Sequence, residues 1–228
     1  MRGIETGITA LLPMKLHSER VPGKNFRQIG GKPLFMWILG TLLSLEEISR
    51  VVINTDARQK LGESGLQESE RVMIRDRRSE LCGDFTDMNL VLADDISNVV
   101  SGIYLMTHTT NPLLTAATIR NAVRAFTGGL ADGNCDSLFS VTRYQSRFYR
   151  PDGSAVNHDP GVLIRTQDLE PLYEENSCLY LFTGESFGRQ GRRIGQKPLM
   201  YEVPRLEAVD IDNQDDFNLA ETLLLQQC

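Results

Sequence analysis

The sequence lacks an apolar run long enough to cross a membrane, and its first seven residues contain no apolar core of the secretory type. It also lacks an excess of positive charge, since the formal net charge of −6 argues against a nucleic-acid partner. The cysteines are few, widely spaced and without a C-x-x-C pair, so idle thiols in a reducing cytoplasm are expected instead of disulfides or a metal site. They are Cys82, Cys135, Cys178 and Cys228.

What is present is an alternation of strand and helix patterns through the first half of the chain. Such an alternation predicts parallel strands joined by right-handed crossovers, in an α/β fold with helices on both faces of a mostly parallel sheet. The length of 228 residues fits a single domain, and Asn213 is the expected cap of the last helix. Strands are predicted over 8–12, 50–54, 72–74, 103–106, 136–142, 178–182, 199–203 and 208–211, and helices over 33–45, 58–65, 88–99, 116–126 and 215–225.

Two stretches interrupt that alternation. Residues 128–134, "GGLADGN", which follow the fourth helix, are predicted to form a loop. Residues 144–175 are rich in Arg, Asp, Pro and Tyr and have poor hydrophobic periodicity, so this stretch is expected to leave the sheet as an arm.

A small basic loop, "LLPMKLHSERVPGKN", follows the first strand. Lys15, Arg20 and Lys24 bring positive charge to a strand end, and Gly23 permits a tight turn there. The loop is not a Walker A motif, because in "GGKPL" a proline follows the lysine. A triphosphate or pyrophosphate would suit these cations, and a solvated surface loop is the alternative that spacing alone leaves open.

An acidic pair stands near the C-terminus in "EAVDIDNQDDF". In a strand, Asp210 and Asp212 would point the same way and could hold a magnesium ion together with substrate phosphates. The alternative is that Asp212 or Asn213 only caps the final helix.

Two further polar clusters follow strands. In "DRRSELCGD", Arg77 and Arg78 could grip a phosphate or a carboxylate, although spacing alone favours a surface charge run. In "THTTNPLL", hydroxyls and an imidazole could bind a sugar or a base, or form an ordinary turn. Because ligands bind at the carboxyl ends of strands in open α/β sheets, these clusters predict one site at that edge.

The same motifs, taken in order, resemble the acylneuraminate cytidylyltransferases. "LLPMKLHSERVPGKNFRQIGGKPL" is similar to the family's opening P-A-R-x-x-S-K-x-x-P-x-K-N and G-x-P-L. "VINTD", "RRSELCGD", "HTTNPLL", "DSLFSVT", "NSCLYLF" and "VDIDNQDDFNLAE" resemble six later blocks. The resemblance covers nearly the whole chain and implies a Rossmann-like nucleotidyltransferase fold.

The resemblance implies that the protein activates a 2-keto nonulosonic, sialic-acid-like sugar acid with CTP. The products would be a CMP-sugar and pyrophosphate, and Mg²⁺ the cofactor. Lys15, Lys24 and Asp212 would be catalytic, and Asp210 and Asp212 would bind the metal. The residues implied to bind the nucleotide are Lys15, Ser18, Arg20, Lys24, Asn25 and Arg77.

The arm is implied to cross to a second subunit of a homodimer and to help build its sugar pocket. The residues implied to bind sugar are His108, Thr110, Arg165, Gln167, Tyr173, Glu174 and Asn176. The chain departs from the family pattern at Lys15, Glu19, His108 and Glu174. Because Glu174 replaces an arginine, it would serve as a counter-ion for an amino-substituted acid.

Three alternatives stay open. The nearest is a KDO-type cytidylyltransferase, although that enzyme has P-G-K-P where this chain has "PGKN". The second is a glycosyltransferase on a similar sheet. The third is a non-catalytic nucleotide-binding homologue, against which the presence of both Asp210 and Asp212 argues.

Overall fold

A computed structural model describes residues 7–227. Cys228 and the first six residues, which bear on the expectations about thiols and a secretory segment, lie outside the described residues. The elements in chain order are β1 (Ile8–Leu11), β2 (Gln28–Ile29), β3 (Lys32–Pro33), α1 (Phe35–Leu43), β4 (Ile48–Thr55), α2 (Arg58–Glu63), β5 (Val72–Asp76), α3 (Met88–Asn98), β6 (Ile103–Met106), α4 (Ala116–Ala131), β7 (Ser137–Tyr144), β8 (Leu172–Thr183), α5 (Gly184–Gln190), β9 (Pro198–Glu202) and α6 (Gln214–Gln227).

Seven strands form one sheet in the order β5-β4-β1-β6-β8-β7-β9. All neighbouring pairs are parallel except those made by β8, which runs antiparallel to both β6 and β7. The central strand β1 is buried along its whole length, as expected for a strand covered on both faces. The predicted mostly parallel sheet is therefore confirmed.

Helices cover both faces of this sheet. Ala10 belongs to the hydrophobic cluster that packs against α1 and α4, where Phe35 and Phe126 are fully buried. Its neighbour Leu11 belongs to the cluster on the other face, with α3, α5 and the buried Phe187. Successive strand residues point to opposite faces, so the apolar run of β1 supplies both halves of the core.

The predicted strand over 208–211 is wrong. The chain turns after β9, where the amides of Glu207 and Ala208 donate to the carbonyl of Pro204, and no strand forms there. The segment is instead held by the Ile211 amide, which donates to the Thr110 carbonyl at 3.0 Å. The acidic pair thus lies on irregular backbone tied to the loop after β6.

The predicted loop after the fourth helix begins too early. Helix α4 continues through both glycines to Ala131. Gly129 is packed so closely against Cys135 that a Cβ there would lie 2.7 Å from the Cys135 sulfur. The glycine in this helix therefore serves a close packing contact and does not end the helix. The short β2–β3 hairpin and α5 were not predicted at all.

The segment between β7 and β8 leaves the sheet, as predicted, but its bounds are narrower. Strand β8 begins at Leu172, which pairs with Tyr144 at the end of β7, so the excursion spans 145–171. Val162, Leu163 and Ile164 are exposed on it, Leu163 to 89%. Within residues 7–227, no helix is long and apolar enough to cross a membrane.

Candidate active site

A cavity of about 320 Å³ opens at the carboxyl edge of the sheet. The loops after β1, β5 and β6 line it, as the convergence of strand ends predicts. Of the predicted site residues, it gathers Lys15, Ser18, Arg20, Lys24, Asn25, Arg77, His108 and Thr110.

The basic loop is shaped by one turn and one half-buried lysine. Gly23 has φ 64°, a conformation that glycine adopts without strain, and a short 3₁₀ turn follows over Lys24–Phe26. Lys24 donates from Nζ to the Ile211 carbonyl at 2.5 Å. Burial lowers the pKa of Lys24, against the opposing charges of Asp210 and Asp212. This lysine therefore connects the basic loop to the acidic segment.

Asn25 holds two walls of the cavity together. Its Nδ2 donates to the Lys15 carbonyl at 2.7 Å, and its Oδ1 accepts from the Thr109 hydroxyl at 2.6 Å. Ser18 stabilises the same loop, since its Oγ accepts from the Val21 amide at 3.4 Å. The Asn25 side chain is buried and engaged inside the protein, so its place in the motif has a structural reason of its own.

The two exposed cations of the loop are paired with acids. Lys15 donates to Asp84 in the loop after β5, and Arg20 contacts Asp212 at 2.6 Å. The Lys15 hydrogen bond and charge hold the pKa of Asp84 below its usual range. Asp84 was not singled out from the sequence, although it ends the "DRRSELCGD" cluster.

The acidic pair fits a hard cation. Asp210 Oδ1 is buried and has no hydrogen-bond partner among residues 7–227. Burial and the charge of Asp212 raise the pKa of Asp210, while a Thr110 hydrogen bond and the Lys24 charge oppose that rise. An orphaned carboxylate oxygen beside a second carboxylate is a donor set that Mg²⁺ accepts when substrate phosphates complete its shell.

The capping alternative applies to Asn213 and not to Asp212. Asn213 Oδ1 accepts from the amides of Asp215 and Asp216 at 2.8 and 3.0 Å, which confirms the predicted cap of α6. The Asp212 amide and the Asn213 amide in turn donate to Asp216 Oδ2, both at 2.9 Å. The Asp212 carboxylate takes no part in this cap. No group of three or more His, Cys, Asp or Glu side chains suited to a metal occurs among the described residues.

Arg77 lines the cavity but is anchored from behind. Its Nε donates to Asn54 Oδ1 at 2.9 Å and its NH2 donates to the Asn54 carbonyl at 2.8 Å. Burial lowers the pKa of Arg77. Arg78 points away to solvent, where it pairs with Glu80.

His108 and Thr110 form the end of the cavity that follows β6. Burial, with the nearby positive charges of Arg193 and Lys24, lowers the pKa of His108 to about 4. The imidazole is therefore neutral at physiological pH and supplies a hydrogen-bonding ring to the cavity without charge.

The other residues predicted to bind sugar lie outside the cavity within one chain. Tyr173 and Glu174 are exposed on β8, and Arg165 is exposed on the arm, where its Nε contacts Asp168 at 2.7 Å. Gln167 is exposed as well, and its carbonyl accepts from Gln145 at 2.7 Å. The structure does not bring these four side chains together with His108.

Asn176 is buried in an irregularity of β8. Pairing passes from Phe139↔Tyr180 to Val141↔Glu175, so residues 176–179 stand opposite Ser140. Asn176 Oδ1 accepts from the Ser140 hydroxyl at 2.6 Å, and its Nδ2 donates to the Thr142 hydroxyl at 3.1 Å. Its side-chain amide therefore holds the bulge together, and Asn176 is not among the residues that line the cavity.

At the carboxyl edge of this sheet, Arg20 and Lys24 of the basic loop meet the acidic pair Asp210 and Asp212. The chain belongs to the cytidylyltransferase family, whose model matches residues 9–227.

The curated relatives that the chain resembles are cytidylyltransferases and a CMP-sugar synthase. The chain is 27% identical over 235 residues to the CMP-N,N′-diacetyllegionaminic acid synthase of Legionella pneumophila, covering 95% of this chain and 96% of that protein. It is 22% identical to the pseudaminic acid cytidylyltransferase of Campylobacter jejuni, over 93% and 94% of the two chains. The N-acylneuraminate cytidylyltransferase of Streptococcus agalactiae serotype V is 24% identical, over 91% of this chain and 51% of that protein. The chain thus spans about half the length of this relative and nearly all of the other two.

Solved structures share the fold at low identity. CMP:2-keto-3-deoxy-manno-octonic acid synthetase, complexed with CTP, matches with a TM-score of 0.67 at 12% identity, over 98% of this chain and 100% of that one. The 4-diphosphocytidyl-2C-methyl-D-erythritol synthase of Anaerococcus prevotii matches with 0.67 at 11% identity, over 96% of each chain. These matches establish the predicted Rossmann-like nucleotidyltransferase fold.

Proposed function

We propose that this protein transfers CMP from CTP to a 2-keto nonulosonic acid, giving a CMP-sugar and pyrophosphate. The observation that carries the proposal is the basic loop that lines the cavity, in which Arg20 pairs with Asp212 and Lys24 lies in the field of Asp210 and Asp212. The names of the curated relatives, which act on legionaminic, pseudaminic and N-acylneuraminic acids, supply the substrate class.

The chemistry requires positioning and charge, without a covalent nucleophile. The anomeric hydroxyl of the sugar acid attacks the α-phosphorus and gives up its proton to solvent. The bond from the α-phosphorus to the bridging oxygen breaks, and that oxygen leaves with pyrophosphate. Lys15 and Lys24 would stabilise the negative charge that moves to the leaving group, because donors fixed in advance act without reorganisation.

Mg²⁺ is the proposed cofactor, held by Asp210 and Asp212. When bound it would neutralise phosphate charge and orient the α-phosphate. Arg20 pairs with the Asp212 carboxylate at 2.6 Å. When the nucleotide enters, Arg20 therefore has to leave this carboxylate and bind phosphate oxygens. The exposed fractions of the two side chains, 65% and 46%, make that exchange inexpensive.

The arm supports a proposed homodimer. Val162, Leu163 and Ile164 are consecutive apolar residues, all exposed on the excursion between β7 and β8. A second copy that covered this segment would remove that apolar surface from water. The arm of that copy would also bring its Arg165 and Gln167 toward the neighbouring site, where the resemblance assigns them. Leu163→Glu is expected to give a monomer in sedimentation velocity, and an unchanged mass would argue against this interface.

A cytoplasmic location is proposed with the enzyme, because Cys82, Cys135 and Cys178 are all free thiols. Unpaired thiols are typical of a reducing compartment.

The first experiment is pyrophosphate release with CTP and Mg²⁺. The acids tested are N-acetylneuraminate, N,N′-diacetyllegionaminate, pseudaminate and 2-keto-3-deoxy-manno-octonate. We expect release with one nine-carbon acid, none with ATP or GTP, and loss in Asp212→Ala. Asp215→Ala is the matched control, since Asp215 is exposed on α6 outside the acidic pair.

The outcomes separate the alternatives. Release with the eight-carbon acid alone would indicate a KDO-type enzyme. Magnesium-dependent CTP binding without release from any acid would indicate a non-catalytic homologue.

A further inference from the structure

A second cavity, of about 770 Å³, lies between the start of α3 and the segment that follows α5. Asn89, Glu175, Arg192 and Arg193 are among its lining residues. It lies close to the first cavity, because the charge of its lining residue Arg193 acts on His108, which lines the first. A substrate in the second cavity would therefore lie next to a nucleotide bound in the first.

Arg193 stands between the two cavities. Its backbone amide donates to Asn89 Oδ1 at 3.2 Å, which ties it to α3. Its guanidinium reaches inward to Met106 at the end of β6, with 3.8 Å from NH1 to the sulfur. Its positive charge contributes to the lowered pKa of His108, in the lining of the first cavity. The side chain is only 20% exposed, so its position is well defined.

Two partners hold the Arg193 guanidinium in place and leave some of its N–H donors unused. It stacks on the ring of the buried Tyr180, 3.8 Å from Cζ to the ring centroid, and its NH2 donates to the Tyr180 hydroxyl at 2.9 Å. Glu175 lies 3.5 Å from NH2 and accepts the hydrogen bond of the same hydroxyl. Of the five N–H donors of an arginine, the described residues engage NH2 and, weakly, NH1. The others remain available to a ligand.

The bulge of β8 builds this cluster. Ser177, with φ 59°, is the one non-glycine residue with positive φ among residues 7–227. Its hydroxyl lies within hydrogen-bond distance of the Tyr180 hydroxyl, at 3.2 Å. Bulges beside a site re-aim side chains, and strained backbone concentrates where function demands it. Here the bulge brings Glu175 back to Tyr180, five residues further along the same strand.

We propose that Arg193 binds the carboxylate of the sugar acid and thereby determines which acids are used. The proposal rests on the proposed function, because it assigns the second cavity to the acceptor. The residues implied by the resemblance to handle the acid leave a cation missing there: His108 is neutral and Glu174 is acidic. Arg165 lines neither cavity and pairs with Asp168 on the arm. A desolvated, stacked guanidinium with free donors supplies that cation.

The test compares each acid with its neutral 1-carboxamide, using whichever acid the unchanged enzyme turns over. Removing the charge from the substrate or from Arg193 deletes the same contact. We expect Arg193→Gln to raise KM for the acid about 10- to 100-fold, the range for a charge-assisted hydrogen bond, with KM for CTP unchanged. With the unchanged enzyme, the KM of the carboxamide should exceed that of the acid by the same factor. Arg193→Gln should raise the KM of the carboxamide no further.

Arg189→Gln is the matched control, because Arg189 is exposed on α5 and pairs with Glu185. CTP affinity of each variant, measured by calorimetry, verifies folding. Two results would overturn the assignment of Arg193 alone. One is an unchanged KM for the acid in Arg193→Gln. The other is a further rise in the KM of the carboxamide when Arg193 is replaced. The same result with Arg165→Gln in place of Arg193→Gln would transfer the role to the arm. No turnover of any acid by the unchanged enzyme would overturn the proposed function, and this assignment with it.

Discussion

Lys15 and Asp84 form an ion pair that joins the loop after β1 to the loop after β5 at the nucleotide cavity. Lys15, which is expected to contact the triphosphate, is thus paired with the Asp84 carboxylate when no nucleotide is bound. Nucleotide phosphates and Asp84 compete for the same ammonium group.

Replacing Asp84 by Asn should therefore strengthen CTP binding. Both side chains are more than a third exposed, so the pair is weak and the gain is modest, up to about fivefold in Kd. Isothermal calorimetry with CTP measures it, with Asp87→Asn, further along the same loop, as the control. Weaker binding by Asp84→Asn would mean that Asp84 itself contacts the nucleotide.

Much of the fold could be predicted because its signals are local. Buried strands such as β1 and β6 are short apolar runs, and their spacing by helical segments determines parallel pairing. The antiparallel insertion of β8 and its bulge could not be predicted, because they depend on pairing with β6 and β7. The strand predicted at 208–211 failed for a related reason. Its apolar residues are held by Thr110 and by packing and not by a ladder.

The site residues also fall into those that local sequence predicts and those that depend on strand pairing. The cations of the basic loop and the acidic pair could be predicted, since each cluster is contiguous and resembles a family motif. Arg193 could not, because its partners Tyr180 and Glu175 are brought to it by the bulge. Glu174 was expected from the resemblance to meet an amino-substituted acid. Only the structure shows that the next residue, Glu175, lies 3.5 Å from Arg193 NH2.

Lys24 should be essential for nucleotide binding. It is partly buried between the basic loop and the acidic segment, where its Nζ donates to the Ile211 carbonyl. Lys24→Met should weaken CTP binding by at least about tenfold, the loss expected for one charge-assisted contact. Lys32→Met is the control, since Lys32 stacks on Trp37 at 3.7 Å in the β2–β3 hairpin. Equal affinities of the two variants would remove Lys24 from the nucleotide site.

Asp210 should lower the stability of the folded protein and should be required for pyrophosphate release. Its raised pKa means that the charged carboxylate is disfavoured in the folded protein, and its buried Oδ1 lacks a partner among the described residues. Asp210→Asn should therefore raise Tm by roughly 2–4 °C at pH 8 without metal, and abolish pyrophosphate release. Added Mg²⁺ and CTP should narrow the difference in Tm. A lower Tm for the variant would contradict the assigned burial cost.

Asn176 tests whether a predicted sugar ligand has a structural role. Asn176→Ala would leave the Ser140 and Thr142 hydroxyls without their partner in the bulge. The expected cost is at least about 2 kcal/mol. Tm should then fall by roughly 4–8 °C for a chain of this length. Asn218→Ala, on the exposed side of α6, is the control. A normal Tm with a raised KM for the acid would instead indicate direct contact with the sugar.

Asp95 should make the fold less stable as pH rises. It is fully buried, accepts from Asn54 at 2.8 Å and Arg75 at 2.5 Å, and burial raises its pKa to about 6 despite these partners. The folded state therefore binds its proton more tightly than the unfolded state, whose pKa is near 3.8. The stabilisation is complete below pH 4 and is lost as pH rises through about 6, with a size of about 1–3 kcal/mol.

The Asp95→Asn variant isolates this contribution from the other carboxylates, whose effects are common to both proteins. Its free energy of unfolding, from urea titrations at pH 5 and pH 7.5, should lack the decline that the unchanged protein shows between those values. Asp94→Asn is the control for lost pairing, because Asp94 contacts the same Arg75 at 3.0 Å. If Asp95→Asn kept the full decline, the proton would be bound elsewhere. A buried carboxylate on α3, behind Asn54 and Arg77, would then be ionised throughout this range, and the Arg75 ion pair would outweigh its desolvation.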